Sequence, residues 1–258
     1  MRFFRRNSFA VLGGLAVCWT LGAQAAPIAQ LRFSFELNGG PVTTIVDGGP
    51  GDTDGVINGS IVLGTITPIP GYTVFGSVTS SDGTINDGGL LAGFNVLDSG
   101  ATKVVNRSGG PVHVQAAFSA YGFTPWANVA FSTGSGTFEV SNGAPITLKY
   151  YDDPNNAWGA STPFDTPGNL IDTYSFTASG VLSSFAHNGG PFGVNDNAPF
   201  SMTETFDFTL PNEGTLVSRG QGESKLVPEP ASLWILGLGL AALGIAAPGR
   251  VRRSRRPA

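Results

Sequence analysis

The amino-acid sequence predicts an all-β protein: a single antiparallel β-sandwich of jelly-roll or immunoglobulin-like type, with an N-terminal signal peptide and a C-terminal transmembrane helix. Three observations carry this. Between Ala26 and Lys225, Gly, Thr, Ser, Asn and Pro supply 98 of 200 residues, while Glu, Lys, Gln and Met supply 12. Helix surfaces are built from those straight-chain residues, so strands and turns are favoured over helices. Apolar residues recur at every second position in several short runs, and clusters of Gly, Asn, Asp and Pro separate the runs.

The first run is the clearest. Leu31, Phe33, Phe35 and Leu37 alternate with Arg32, Ser34 and Glu36, the pattern of a strand with one face in a core. Similar runs at 56–63, 72–79, 90–97, 112–120, 128–133, 145–151, 170–178 and 200–210 predict eight more strands. The 15 Phe residues of this body are the expected core. Gly-Gly-Pro occurs at 39–41, 48–50, 109–111 and 189–191 with irregular spacing, which predicts recurring turns and no solenoid period.

Charge divides the chain into three regions. Residues 1–25 hold three Arg and no acid, the last nine residues hold five Arg and no acid, and the body carries 17 acidic against 6 basic residues, a net −11. An acidic body of this kind excludes nucleic acid as a partner. Arg2, Arg5 and Arg6 followed by an apolar stretch and by Ala23-Gln24-Ala25 form a signal peptide, residues 1–25, with Ala23 and Ala25 as the small residues signal peptidase reads and Ala26 as the new N-terminus. An uncleaved anchor is disfavoured, because 14 Gly-rich apolar residues fall short of the ~20 that span a bilayer. Val17 before Cys18 departs from a lipoprotein box, and Ser8 departs from a twin-arginine signal; the choice between general secretion and twin-arginine export stays open. Cys18 leaves with the signal peptide, so the mature chain forms no disulfide.

The body is expected to span 26–218 and to end in a polar linker, 219–226. Beyond it come Val227, Pro228, Glu229 and Pro230, then seventeen uncharged residues at 231–247, then Arg250, Arg252, Arg253, Arg255 and Arg256. Seventeen residues make about 25 Å of helix, the lower limit for a transmembrane span. The Arg cluster holds the terminus on the cytoplasmic side and leaves the body outside. This order of Pro-Glu-Pro, short span and Arg cluster over 227–256 resembles the PEP-CTERM sorting signal. The resemblance implies a substrate of exosortase, a membrane-embedded cysteine transpeptidase of Gram-negative bacteria that make exopolysaccharide. Val227 to Pro230 would then be recognised, and the five Arg would be the cytoplasmic stop. The protein would pass through an inner-membrane intermediate to the outer surface or extracellular matrix. The same tail is also known as a C-terminal region of ice-binding proteins, a label that describes the tail alone. Residues 47–57 and 200–205 are loosely similar to a loop and a penultimate strand of PEP-CTERM surface proteins.

Chemistry-bearing residues in the body are sparse. His113 and His187 belong to no ligand-spaced pair, and there is no Gly-x-Ser-x-Gly elbow or phosphate loop. Asp47, Asp52 and Asp54 are read first as solvated turn carboxylates and second as a calcium site, although the full calcium loop fails at Pro50 and Ile61. No other cofactor is implied. Tyr150, Tyr151, Asp152, Asp153 and Trp158, with Trp126 in a second aromatic cluster, combine flat rings with hydrogen-bond acceptors and form a candidate carbohydrate contact beside the plainer reading of core and turn packing. The expected function is that of a surface or matrix structural protein and not an enzyme. A carbohydrate-binding or adhesive module is the alternative; a secreted hydrolase or an ice-binding protein ranks below it.

Overall fold

The computed structural model describes residues 30–81, 94–124 and 127–225. They form thirteen strands in chain order: β1 Gln30–Leu37, β2 Thr43–Val46, β3 Ser60–Ile66, β4 Tyr72–Ser81, β5 Phe94–Asp98, β6 Thr102–Asn106, β7 Val112–Phe123, β8 Ala127–Glu139, β9 Pro145–Asp153, β10 Asn169–Thr177, β11 Leu182–Asp196, β12 Phe200–Leu210 and β13 Thr215–Lys225. One sheet runs β10-β9-β12-β7-β1-β2, and the other runs β11-β8-β13-β5-β4-β3 with β6 bridging β13 and β4. Every pairing is antiparallel. The two sheets face each other across one core, as expected of a sandwich, and no helix long and apolar enough to cross a membrane occurs among the described residues.

The core follows the alternation of the sequence. Leu31, Phe33, Phe35 and Leu37 are buried in β1, and Phe118, Phe123, Phe138, Phe185, Phe200, Phe206 and Phe208 join them. Phe164 and Phe75, by contrast, are exposed.

Four strands lie outside the predicted set: β2, β6, β11 and β13. The expected linker is corrected most sharply. Residues 219–225 are the second half of β13, which pairs with β8 from Thr215 to Lys225 and with β5 from Gln221 to Lys225. A Gly-rich polar stretch forms a central strand here because its glycines face the opposite sheet at close range. A Cβ at Gly220 would stand 2.7 Å from a Glu204 carboxylate oxygen and 2.8 Å from Phe206, and one at Gly222 would stand 2.6 Å from Tyr150. The fourth Gly-Gly-Pro, expected as a turn, is likewise inside strand β11, where Gly189 makes room for Asp172 and Ser132.

Glu204 is buried beneath this glycine window, and burial above all, with Asp98 adding to it, raises its carboxyl well above the usual range. A second buried acid group joins the sheets at one end. Asp152 closes β9 and Asp196 closes β11, and both are shielded from water. Burial pushes the Asp152 carboxyl up to about 8, helped by the charges of Asp196 and Asp153. Asp196 is pushed up to about 6 by burial. The Asp152 carboxyl is thus the more strongly raised of the two, and Tyr150, Glu204 and Glu223 are the other titratable groups close by.

Two outcomes follow. Gly220→Ala forces a methyl into Glu204 and Phe206, and urea unfolding is expected to show a loss of about 1–3 kcal/mol from overpacking. For the acid pair, the folded chain binds more protons than the unfolded chain between the ordinary carboxylate range and about pH 8. Its contribution is complete at about pH 4 and is lost as pH rises through the two raised values. Melting temperature should fall from pH 5 to pH 9, and Asp196→Asn, which leaves a neutral partner, should flatten that fall; an unchanged slope would contradict the raised pair.

Candidate functional site

The outer face of the first sheet is where the loop after β9 comes to rest. Asp153 caps that loop by accepting from the amides of Asn155 and Ala157, at 3.1 and 2.9 Å. Arg32 donates to the carbonyls of Trp158 and Gly159, Thr44 donates to Ser161, and Ser201 donates to Ala157. The amide of Gly122 donates to Asn156 at 2.7 Å. Residues 154–168 are thereby pinned across half of the sheet face. Beneath them Ser119 and Thr203 are buried and bonded to each other.

The other half of the face stays open. Its floor is made by the outward side chains of three adjacent strands: Gln115 of β7, Thr205 and Asp207 of β12, and Thr147 and Lys149 of β9. Tyr151, Pro163, Phe164 and Thr166 wall one side, where the pinned loop ends. The enclosed groove measures about 320 Å³, the lower end of the range for small-molecule sites. Asp207 is held at both oxygens, by His113 at 2.8 Å and by Gln115 at 3.1 Å, which stiffens the floor. Lys149 enters no ion pair among the described residues. The groove thus offers a cation, a carboxylate, an amide, hydroxyls and two aromatic rings, the donor and acceptor mixture that polyhydroxylated ligands require.

Few of the expected contact residues reach this groove. Tyr151 lines it. Tyr150 points into the core, with its hydroxyl 2.9 Å from the Met202 sulfur, and Asp152 and Asp153 are buried in the clasp and the loop cap. Trp158 lies under the Arg32 guanidinium, 3.8 Å from the ring centre, and packs on Tyr121 at 4.8 Å, so its ring serves to fix the loop. Trp126 lies outside the described residues, as do Ala23, Ala25, Ala26, Val227, Pro228, Glu229, Pro230 and the five Arg from Arg250 to Arg256. Gln115, Lys149, Phe164, Thr205 and Asp207 are the groove residues that sequence reasoning passed over. The available signal was the polar half of the alternation in β7, β9 and β12, and a lone Phe in a Pro- and Thr-rich loop.

The acidic loop after β2 is spent on its own backbone. Asp47 accepts from the amides of Asn58 and Gly59, Asp52 from those of Gly48 and Val62, and Asp54 from Val56. No group of three or more His, Cys, Asp or Glu side chains is arranged to hold a metal among the described residues.

Ser132, Asp172 and His187 do come together, from β8, β10 and β11. The order of their bonds is not that of a nucleophilic triad. Ser132 donates to Asp172, whose same oxygen lies 2.6 Å from His187 Nε2, so the carboxylate stands in the middle and the histidine takes nothing from the hydroxyl. Burial pushes the Asp172 carboxyl up, but the bonds from Ser132 and His187 outweigh it and hold it below the usual range. The three residues line a void of about 20 Å³ between the sheets, room for one water and not for a substrate.

No curated protein sequence matches this chain. Several solved carbohydrate-binding modules are similar at low levels. TmCBM61, solved with β-1,4-galactotriose, is 12% identical, over 62% of this chain and 89% of that one, with a TM-score of 0.33. The C-terminal family 22 module of Clostridium thermocellum Xyn10B is 12% identical over 64% and 92%, at 0.27. TmCBM27, a mannan-recognising module, is 10% identical over 75% and 99%, at 0.28. Likeness at these scores carries no argument about a ligand. The tail gives a definite match: the model of the PEP-CTERM protein-sorting motif aligns with residues 226–256, beginning directly after β13. The chain carries a PEP-CTERM protein-sorting motif, the mark of an exported protein held transiently in the membrane.

Proposed function

We propose that this chain is a surface or extracellular-matrix structural protein, delivered by an exosortase in a bacterium that makes exopolysaccharide. The observation that carries the reading is the sorting motif at 226–256. In this reading Val227 to Pro230 are recognised by the exosortase, the apolar run at 231–247 holds the intermediate in the inner membrane, and the Arg cluster stays on the cytoplasmic side. Signal peptidase removes residues 1–25. The body is cargo and not a catalyst, a view supported by the carboxylate-centred arrangement of Ser132, Asp172 and His187.

A second reading rests on the groove. Its volume, its aromatic wall and its mixed donors and acceptors suit a short stretch of glycan, which would make the body a carbohydrate-binding module within the same matrix. Phe164 is 59% exposed at the groove wall, so a sugar face can stack on it without displacing core.

Intact mass of the protein from its own host should lack both ends, and an exosortase deletion strain should retain the tail; a tail kept in both strains would leave a plain membrane anchor. For the groove, calorimetric titration of the body with the host's exopolysaccharide should give binding that Phe164→Ala weakens about tenfold, with little change in melting temperature, since stacking contacts are worth about 1 kcal/mol or more. Equal affinity of the variant would move the ligand elsewhere.

A further inference from the structure

The last strand ends where the sorting motif begins, and this limits how far the body can stand from the membrane. Lys225 is paired on both sides, with Val129 of β8 and Phe94 of β5, so β13 keeps its register to its final residue. Five residues lie between Lys225 and Ala231, where the apolar run starts, which makes six steps along the chain. A fully extended chain covers about 21 Å in six steps. The headgroup layer takes about 5–7 Å of that.

One end of the sandwich must therefore lie against the lipid surface, and the pairing identifies it. The end containing Lys225 also holds the junction of β7 and β8, the junction of β11 and β12, and the start of β1 at Gln30, paired with Tyr121. The 47–59 loop reaches toward this end. It leaves β2 at Val46 and returns at Ser60, which is opposite Thr79; Thr79 is opposite Asp98, and Asp98 is opposite Gln221. Residues 54–59 thus project beyond Ser60 toward the level of Lys225. At their tip Val56 is 56% and Ile57 64% exposed. The loop is stiff: Asp47, Asp52 and Asp54 tie down its amides, Thr53 donates to the Val62 carbonyl, and Gly48, at φ +73°, admits Ile57, whose Cγ1 would stand 2.5 Å from a Cβ there. Exposed aliphatic side chains on a braced loop suit the boundary between headgroups and acyl chains.

We propose that, while the tail is retained, the sandwich sits upright on the bilayer, with Val56 and Ile57 of the 47–59 loop touching the lipid surface. The opposite end, where the turns after β8 and β10 carry Val140, Val181 and Leu182, points away from the membrane. The seating rests on the tail spanning the membrane before processing, and its test separates the two ideas.

The full chain with its tail, carrying Cys18→Ser and either Ile57→Cys or Val181→Cys with a fluorophore, is reconstituted into phosphatidylcholine and phosphatidylglycerol vesicles containing a doxyl lipid. The two ends stand about 36 Å apart along β13, so quenching at position 57 is expected to exceed that at 181 by about threefold or more. Equal quenching on floating vesicles overturns the seating alone, whereas a chain that fails to float overturns the membrane tail and the seating with it. Hydrogen exchange on the unsubstituted chain supplies the check against a misfolded variant: amides of 54–58 should be slower on vesicles than after detergent release, and unchanged rates overturn the contact.

Discussion

Close approach of the two sheets depends on missing side chains. Along β13, Gly220 and Gly222 present bare backbone to the core, and Gly134 and Gly136 do the same in β8. The facing residues of β9 and β12 fill the space, with Leu148 against Gly134, Tyr150 against Gly222, and Glu204 and Phe206 against Gly220. Large side chains thus come mainly from one sheet and small ones from the other at the centre of the sandwich. Strand glycine costs conformational entropy, and interdigitation at native packing density offsets that cost. A methyl group at Gly134, Gly220 or Gly222 meets side chains of the opposite layer, and one at Gly136 meets Phe185 and the Val217 carbonyl of its own sheet.

The same close packing explains the polar groups that bridge the layers. Glu204 fits beneath Gly220 and Gly222, where burial raises its carboxyl well above the usual range, and burial raises Asp152 and Asp196 in the same way near the ends of β9 and β11. Ser132, Asp172 and His187 link the edge strands, with Gly189 leaving the space that the carboxylate occupies. A charge is costly in so apolar a layer: burial favours the neutral forms of Glu204 and Asp152, whereas Asp172 is bonded by Ser132 and His187 from other strands. The 258 residues hold one cysteine, so no disulfide joins two of them, and the aromatic core carries the packing.

Much of the fold was legible because alternation is a local property. Leu31 to Leu37 and Phe200 to Leu210 announced strands whose apolar halves are buried in the structure. Strands β11 and β13 were illegible for the opposite reason, since Ser, Gly, Asn and Arg carry no apolar period and their pairing is justified only by what stands across the core. The site was less legible still. Tyr150, Asp152 and Trp158 were conspicuous by type, yet burial of the first two and the Arg32 contact of the third claim them for the fold. Phe164 drew no notice, because an exposed ring gains meaning only when a pinned loop sets it beside the polar side chains of three other segments.

The tail and the groove are related through the direction of the strands. The pinned loop covers the half of the first sheet nearest Lys225, because β9 ends at that end and Asp153 starts the loop there. The open half, with Gln115, Thr147, Lys149 and Asp207, consequently lies toward the far end of the sandwich. In the proposed seating, a body whose last strand runs up to the sorting motif is restricted in how it turns, so the placement of the groove on the strands decides what it meets. In that seating the groove would face sideways, beyond the covering loop, where a polymer outside the membrane would reach it while the chain is attached. Delivery by the tail and access to the groove are in this way compatible from the moment the body folds.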